Sequence, residues 1–327
     1  MLHLWQMLPR PDYANIFLLN MPLRAWQKPS RVCSSPANNR TERFEMMDDV
    51  LFRVMTRAEV STAVEWAATE GWNPGLADAE CFYEVDPEGF FCAEDDGRIV
   101  GTMSVVNYDD RFSFYGFFVV DPAYRARGIG MQLYRFAMRH AGTRVVGCDG
   151  VVAMVDKYQQ RGGLFLHYNN ARYEGVGGGS MPEGLLPIGN VKIDELAAYD
   201  AAHFPARRER FLQCWIRQRG HYGLAQLDSE KKISGYGVRR VCQKGHKIGP
   251  LFARDRATAE RILNGLVSGI PGEQFYLDIP VPNADAVALV KDRKMNPVFY
   301  TARLYSTRDP VTLPLDEIFG VTSFELG

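Results

Sequence analysis

The stretch that decides the fold is Phe118-Val119-Val120-Asp121-Pro122-Ala123-Tyr124-Arg125-Ala126-Arg127-Gly128-Ile129-Gly130-Met131-Gln132-Leu133. It predicts a strand, a turn and a helix start, because Pro122 cannot donate to a ladder and an amphipathic pattern follows Gly128. Gly128 and Gly130 let backbone N–H groups approach a ligand without interference from a Cβ atom. The free N–H groups and positive dipole end of the helix attract phosphate, and Arg125 and Arg127 add positive charge. The segment therefore predicts a phosphate-binding turn.

Local signals on both sides of this turn predict an α/β module. Thr56 and Glu59 match a capping box before a helical pattern, and Asp95-Asp96-Gly97 matches a hairpin turn between two strands. A further helix and a terminal strand close the module by Gly175. The other predicted elements are strands at 50–55, 90–94, 98–106, 112–120 and 150–155 and helices after 59 and at 128–140.

The motif Arg125-Ala126-Arg127-Gly128-Ile129-Gly130, preceded by Val120-Asp121-Pro122, resembles the acetyl-CoA signature of the GNAT superfamily of acyl-CoA-dependent N-acetyltransferases. The resemblance covers residues 48–176 and implies a mixed central sheet flanked by helices. It also implies that the loop amides hold the coenzyme A pyrophosphate, while backbone groups of the preceding strand align the pantetheine arm. The residues expected to bind acetyl-CoA are Phe118, Val119, Val120, Arg125, Ala126, Arg127, Gly128, Ile129, Gly130 and Met131.

The same resemblance implies a tyrosine general acid on the helix after the fifth strand, and Tyr158 occupies that place. It would protonate the leaving thiolate after a neutral amine attacks the thioester. The family pattern places a Gly-Phe pair soon after the tyrosine, whereas this chain has Gly162-Gly163 and then Phe165. Tyr168 is therefore the alternative acid, and a surface position is the structural alternative for Tyr158.

The acceptor side carries weaker signals. Trp72 and Asn73 lie on the loop that lines the acceptor pocket in this family, although Trp72 could equally close a small core. Asp78, Glu84 and Asp109 would border the same region, but carboxylates usually lie at solvated surfaces. None of the three is assigned as general base, and a chain of ordered water is the alternative.

A second α/β module follows a Gly- and Pro-rich join at 175–184. It repeats the element order of the first, and the hairpin at 225–238 parallels that at 93–106, which predicts an internal duplication. The segment at 249–258 has neither glycine of the turn, and Asp255 would repel phosphate at a helix start. The layout resembles tandem GNAT proteins with a degenerate second copy, which would finish the acceptor pocket, extend the sheet or pair subunits. Predicted here are strands at 222–227, 232–241, 247–253, 274–279 and 298–305 and helices at 257–267 and 284–290.

Four segments are predicted along the chain: a basic extension at 1–45, a GNAT acetyltransferase domain at 46–178, a linker at 179–190 and a smaller, degenerate GNAT-like domain at 191–327. The extension is expected to be disordered, because it is rich in arginine and almost free of acids. An organelle transit peptide and an over-extended N-terminus are the alternatives.

Composition excludes several classes of protein. Lysine and arginine number 38 against 39 acidic residues, which leaves no overall field for nucleic acid or an anionic membrane. No apolar run approaches the roughly 18 residues of a membrane span. The six cysteines are scattered without a CxxC pair, which argues against a disulfide framework and a zinc site. We expect no metal and a cytoplasmic location.

Together these observations predict an enzyme that transfers an acetyl group from acetyl-CoA to a primary amine of a small molecule. Two alternatives remain: a non-catalytic acyl-CoA sensor, and an acetyltransferase acting on protein lysines or N-termini. A homodimer is compatible with the second module serving to pair subunits.

Overall fold

The computed structural model describes residues 44–47 and 49–327. Residues 1–43, which make up almost all of the predicted basic extension, lie outside the described residues. Phe44 and Glu45 were predicted as its last residues, but they belong to strand β1 (Phe44–Met47), which pairs antiparallel with β2 (Val50–Val54).

The first half follows the predicted element order, with two elements that were not predicted: β1 and the helix at Asp78–Val85. Glu59 accepts a hydrogen bond from the Thr56 backbone N–H at 2.7 Å, so the predicted capping box forms ahead of the first helix. The elements after β2 are α1 (Val60–Thr69), α2 (Asp78–Val85), β3 (Phe90–Asp95), β4 (Arg98–Asn107), β5 (Phe112–Val120), α3 (Ile129–Ala141), β6 (Val145–Val151), α4 (Val155–Gly162) and β7 (Phe165–Val176).

The second half repeats this order after a connection that itself contains a short strand. Part of the predicted linker, Leu186–Pro187, pairs with the next strand of the sheet. The elements are β8 (Leu186–Pro187), α5 (Ile193–Asp200), α6 (Glu209–Trp215), β9 (His221–Leu227), β10 (Ile233–Val241), β11 (His246–Ala253), α7 (Arg256–Ser268), β12 (Gln274–Pro280), α8 (Ala284–Asp292), β13 (Asn296–Tyr305) and β14 (Ile318–Gly320).

All strands of the described residues belong to one 14-stranded sheet with the order β1-β2-β3-β4-β5-β6-β13-β7-β12-β11-β10-β9-β8 and β14 beside β11. Counted outward from the central pair β13 and β7, strands β6 to β2 on one side correspond to β12 to β8 on the other. Each side also contains one parallel pair, β5 with β6 and β11 with β12. The repeated order agrees with the predicted internal duplication.

The two halves exchange their last long strands at the centre of the sheet. β13, from the second half, lies between β6 and β7, while β7, from the first half, lies between β13 and β12. Each half therefore uses a strand of the other to continue its own sheet. Residues of the second half are brought next to the carboxyl end of β6 as a consequence.

A hydrophobic cluster shared by the halves lies on one face of this sheet. The rings of Phe82 and Trp215 stack with their centroids 5.9 Å apart, and a disulfide between Cys81 and Cys214 joins α2 to α6. Within the described ranges, no helix is long and apolar enough to cross a membrane.

Two expectations about local structure were wrong. The strand predicted at 150–155 is β6 at Val145–Val151, and the chain is helical from Val155. Gly147 of β6 lies under neighbouring rings, where a Cβ would be 3.1 Å from a ring atom of Phe112. The scattered cysteine spacing concealed a disulfide, because its partners are 133 residues apart and only helix packing brings them together.

Candidate active site

The central sheet opens where β5 and β6 separate. These parallel strands pair only from Phe112 opposite Val145 to Phe114 opposite Gly147. Beyond Phe114, β5 keeps its bonds to β4, and among the described residues no strand pairs with its edge toward β6. A gap between adjacent strands leaves backbone donors and acceptors available to an extended ligand.

A bulge in β5 lies at the mouth of this gap. Phe117 has a φ of 49°, and the pairing register with β4 shifts between Thr102 and Ser104. Hydroxyl groups of β4 hold the bulge: Thr102 donates to the Phe117 carbonyl at 2.8 Å, and Ser104 accepts from the Gly116 N–H at 3.1 Å. The distortion is therefore built into the sheet and re-aims the β5 backbone at the gap.

A pocket that opens to solvent occupies the gap. Half of its lining residues are aromatic, and the walls come from both halves of the chain. The lining residues are Trp72, Tyr115–Phe118 of β5, Cys148–Val151 of β6, Tyr158, and Phe299, Thr301, Phe324 and Glu325 of the second half.

The predicted glycine turn connects β5 to α3. Asp121 accepts from the Ala123 N–H at 2.9 Å and shapes the first part of the turn. Ala126 and Gly128 have positive φ values of 63° and 86°, and no side chain caps α3 at Gly128. The first turn of α3 also has no acidic residue. Its N–H groups therefore remain available to an anion, as at the phosphate-binding helix starts of other folds.

The two arginines of the turn have separate surroundings. Arg125 donates from Nε to the Val120 carbonyl at 2.8 Å and from Nη2 to Glu70 at 3.0 Å. Its guanidinium thus braces the turn against β5 and α1. Arg127 is exposed, and its guanidinium lies 4.9 Å from the centroid of the Tyr124 ring.

Tyr158 lies on the pocket wall opposite β5. Its ring packs on Gly150 of β6, where a Cβ would come within 2.3 Å of the ring. Burial raises the pKa of Tyr158 well above its usual value, so the hydroxyl stays protonated at neutral pH and can act as a proton donor. Tyr168 lies on β7 opposite Arg303 and does not line this pocket.

The structure separates the two predicted acceptor residues. Trp72 lines the pocket, and its carbonyl accepts hydrogen bonds from Arg172 at 2.6 Å and Lys247 at 3.2 Å. Asn73 faces the turn between β10 and β11, where its amide bonds to the Lys244 backbone at 3.0 Å in both directions. Asn73 therefore joins the two halves and does not line the pocket.

Comparison with known proteins identifies the family. A profile described as the acetyltransferase (GNAT) family matches residues 57–163, and one described as an acetyltransferase (GNAT) domain matches residues 196–320. A holothin acyltransferase of Pseudoalteromonas sp. (strain SANK 73390) is 30% identical over 266 residues, which cover 80% of this chain and 90% of that protein. The chain belongs to the GNAT acetyltransferase family.

Other relatives agree with a tandem GNAT architecture. An uncharacterized protein of Caenorhabditis elegans is 25% identical over 68% of this chain and 79% of its own length. A Pyrococcus horikoshii structure provisionally assigned as an acetyltransferase has a TM-score of 0.73 at 22% identity, covering 89% of this chain and all of that one. A tandem GNAT protein from the clavulanic acid biosynthesis pathway has a TM-score of 0.56 at 15% identity, covering 80% and 100%. The predicted fold and acyltransferase class are confirmed.

Sequence reasoning missed the residues that the second GNAT half contributes to the site. Phe299 and Thr301 arrive on the exchanged strand β13, and Phe324 and Glu325 arrive on the C-terminal tail. Asp149 of the first half was also missed. Its carboxylate accepts two hydrogen bonds from Arg303 at 2.7 Å, which neutralise it. Neither a motif nor a periodicity marks these positions, because their proximity depends on the strand exchange.

The corresponding gap in the second GNAT half is filled by the chain itself. β11 and β12 pair from His246 opposite Phe275 to Ile248 opposite Leu277 and then separate. β14 pairs with β11 in this region. At the start of α7, Asp255 accepts from the Thr258 N–H at 2.7 Å, and this bond is the main reason that the pKa of Asp255 is lowered. The predicted loss of the coenzyme turn in this half thus has a structural counterpart.

Proposed function

We infer that this GNAT acyltransferase takes its acyl group from acetyl-CoA and transfers it to a primary amine of a small molecule with a flat, apolar body. The observation that carries this proposal is the continuity of the site. The uncapped start of α3, the open edge of β5 and the aromatic pocket with Tyr158 follow one another along a single gap in the sheet.

The first half fits the coenzyme through backbone groups. Amides of the turn from Ala126 to Met131 would hold the pyrophosphate. Apart from Gly128 and its chain neighbours, no atom of the described residues lies within 4 Å of the point that a Cβ on Gly128 would occupy, which leaves space for a ligand. The edge of β5 that faces the gap at Phe118–Val120 would bond to the pantetheine arm as an added strand does. Arg125 would order the turn from behind, and Arg127 would add positive charge at its exposed side.

The pocket favours a small aromatic or apolar acceptor. Trp72, Phe299 and Phe324 supply flat faces, and offset or edge-on aromatic contacts contribute about 0.5–1.5 kcal/mol each. The buried C-terminal tail closes one side, so an extended peptide has less room than a compact amine. The relative from Pseudoalteromonas is named a holothin acyltransferase.

Tyr158 is the proposed general acid. Its buried, protonated hydroxyl faces the pocket from the β6 side, where it can give a proton to the departing thiolate. The bulge at Phe117 is the proposed position for polarising the thioester carbonyl, since preorganised backbone donors stabilise developing negative charge on oxygen.

The test combines binding with turnover. Calorimetry with acetyl-CoA is expected to give one site per chain, and thiol release is expected with aromatic or apolar primary amines. Binding without thiol release for any amine would instead establish a sensor. Release with lysine or N-terminal peptides alone would establish a protein acetyltransferase, and both results contradict the proposal.

A further inference from the structure

The last seven residues of the chain leave the second half and enter the site of the first. Residues 321–327 are all buried. Tyr108 donates to the Leu326 carbonyl at 2.8 Å, and a Cβ at Gly116 would lie 2.1 Å from the carbonyl oxygen of Glu325. The tail is therefore fixed directly against the β5 bulge.

Glu325 brings to the pocket a carboxylate that has no hydrogen-bond donor. The residue is 1% exposed and lines the pocket, yet neither carboxylate oxygen is hydrogen-bonded within the described part of the chain. Lys247 Nζ lies 3.6 Å from Oε1 and donates instead to the Trp72 carbonyl at 3.2 Å. Buried carboxylates are normally satisfied by donors, so this one is available to a donor on a ligand.

Neighbouring buried carboxylates are held differently. Asp278 accepts two hydrogen bonds from Arg172, at 2.6 and 2.7 Å, and Asp149 accepts two from Arg303, at 2.7 Å. These bidentate pairs neutralise their charges and fix their geometry. Glu325 has only the longer approach of Lys247, so the arginines do not occupy its oxygens.

Glu325 of the C-terminal tail and Tyr158 of α4 line the pocket beside two different strands. The Glu325 backbone contacts Gly116 of β5, whereas the Tyr158 ring packs on Gly150 of β6. A carboxylate and a protonated phenol that line one pocket from separate walls form a base and an acid, the two groups that amine acylation requires.

We propose that Glu325 is the general base that removes the proton from the acceptor amine, an inference that rests on the proposed amine acetylation. The nitrogen–carbon bond to the acetyl group forms and the carbon–sulfur bond breaks. Glu325 takes a proton from the nitrogen, and Tyr158 gives its proton to the sulfur. Transfer of a proton from Glu325 back to Tyr158 through solvent restores both groups.

The first experiment compares Glu325→Gln with the wild type on the full-length chain. The amide keeps the shape of the side chain but is not basic, so kcat is expected to fall about 100- to 1,000-fold, with the Kd for acetyl-CoA and the Tm retained. Glu317→Gln is the matched control, because Glu317 lies on the same C-terminal segment, bonds to His203 and does not line the pocket. The control is expected to keep wild-type kcat.

A second variant separates catalysis from structure. Glu325→Ala leaves a space in the pocket wall. Added formate supplies a carboxylate and is expected to raise the kcat of this variant at least tenfold. A structural role would give a lowered Tm and no rescue. Wild-type turnover by Glu325→Gln, or a folded Glu325→Ala variant without rescue, overturns the role of Glu325. Absence of thiol release by the wild type with every amine would overturn the proposed function itself.

Discussion

The two halves of this molecule share one strand order, but the gap between their parallel strands is open in the first half and filled in the second. In the first half, β5 and β6 separate around an aromatic pocket, and α3 begins at an uncapped glycine. In the second, β14 pairs with β11 where the strands separate, and Asp255 caps α7. The same strand order is therefore compatible with an open gap in one half and a filled gap in the other.

The difference is produced by few residues. Eight residues, 121–128, separate β5 from α3, whereas Arg254 and Asp255 alone separate β11 from α7. The longer connection has room for positive φ values and open amides, and the shorter one places a carboxylate where a phosphate would bind. Helix α8, which corresponds to α4, also has no tyrosine in Ala284–Asp292.

Among the features that distinguish the two halves, the largest effect is expected at Tyr158 of α4, which has no counterpart on α8. We expect Tyr158→Phe to lower kcat about 100-fold, because the variant cannot protonate the thiolate, and to leave acetyl-CoA affinity unchanged. Steady-state kinetics and calorimetry measure the two quantities. Tyr173→Phe is the control, since Tyr173 lies on β7 away from the pocket. An unchanged kcat in Tyr158→Phe would remove this residue from the chemistry.

The glycine turn is tested by two substitutions with matched backbone strain. Gly128 and Gly272 both have positive φ, 86° and 79°, and both have open space around a Cβ. Valine at either position is expected to cost stability of about 1–2 kcal/mol. Only Gly128→Val is expected to weaken acetyl-CoA binding, by tenfold or more, since its side chain would enter the phosphate site. Equal Kd values for the two variants in calorimetry would contradict a coenzyme role for the turn.

A smaller effect is expected on the acceptor side. Trp72→Ala removes a ring face from the pocket and is expected to raise the acceptor KM about three- to tenfold, as the loss of one aromatic contact predicts. Asn73→Ala removes the contact with Lys244 and is expected to change stability but not KM. A raised KM for Asn73→Ala alone would reverse the assignment that the structure favours.

The smallest effect is expected at the closed helix start of the second half. Asp255→Ala removes an N-cap and is expected to lower the free energy of unfolding by about 0.5–2 kcal/mol without changing acetyl-CoA affinity. Because the folded-state pKa of Asp255 is lowered, its contribution is complete above the unfolded pKa of about 4 and is lost as the pH falls through the folded value. Urea titrations should show that the difference in the free energy of unfolding between the variant and the wild type becomes smaller at acid pH. A difference in unfolding free energy that does not depend on pH would show that the Asp255 carboxylate is not its cause.

Local patterns predicted most of the architecture. β5 occurs at its predicted bounds, the capping box of Thr56 and Glu59 forms, and the glycine turn lies between a strand and an amphipathic helix. These features depend on residues a few positions apart, so a single stretch of sequence contains the information. The predicted roles of Tyr158 and the turn residues stay predictions that the geometry supports.

Features that depend on distant segments were not predictable in this way. The disulfide, the exchange of β7 and β13, and the arrival of Phe299 and Glu325 at the pocket each join positions more than 100 residues apart. Sequence periodicity reports which face of an element is buried, but it does not report which other element covers that face.

The amino-acid sequence by itself determined that two GNAT-like modules follow one another, and it predicted an anion-binding turn in the first of them. Those conclusions rest on backbone preferences and short-range spacing, which act within a few residues. Only the tertiary structure decided that the modules share one sheet. It also decided that β14 fills the gap of the second half and that the tail after it lines the pocket of the first. Such contacts arise from the packing of whole elements, where burial of apolar surface, rather than any local motif, selects the partner.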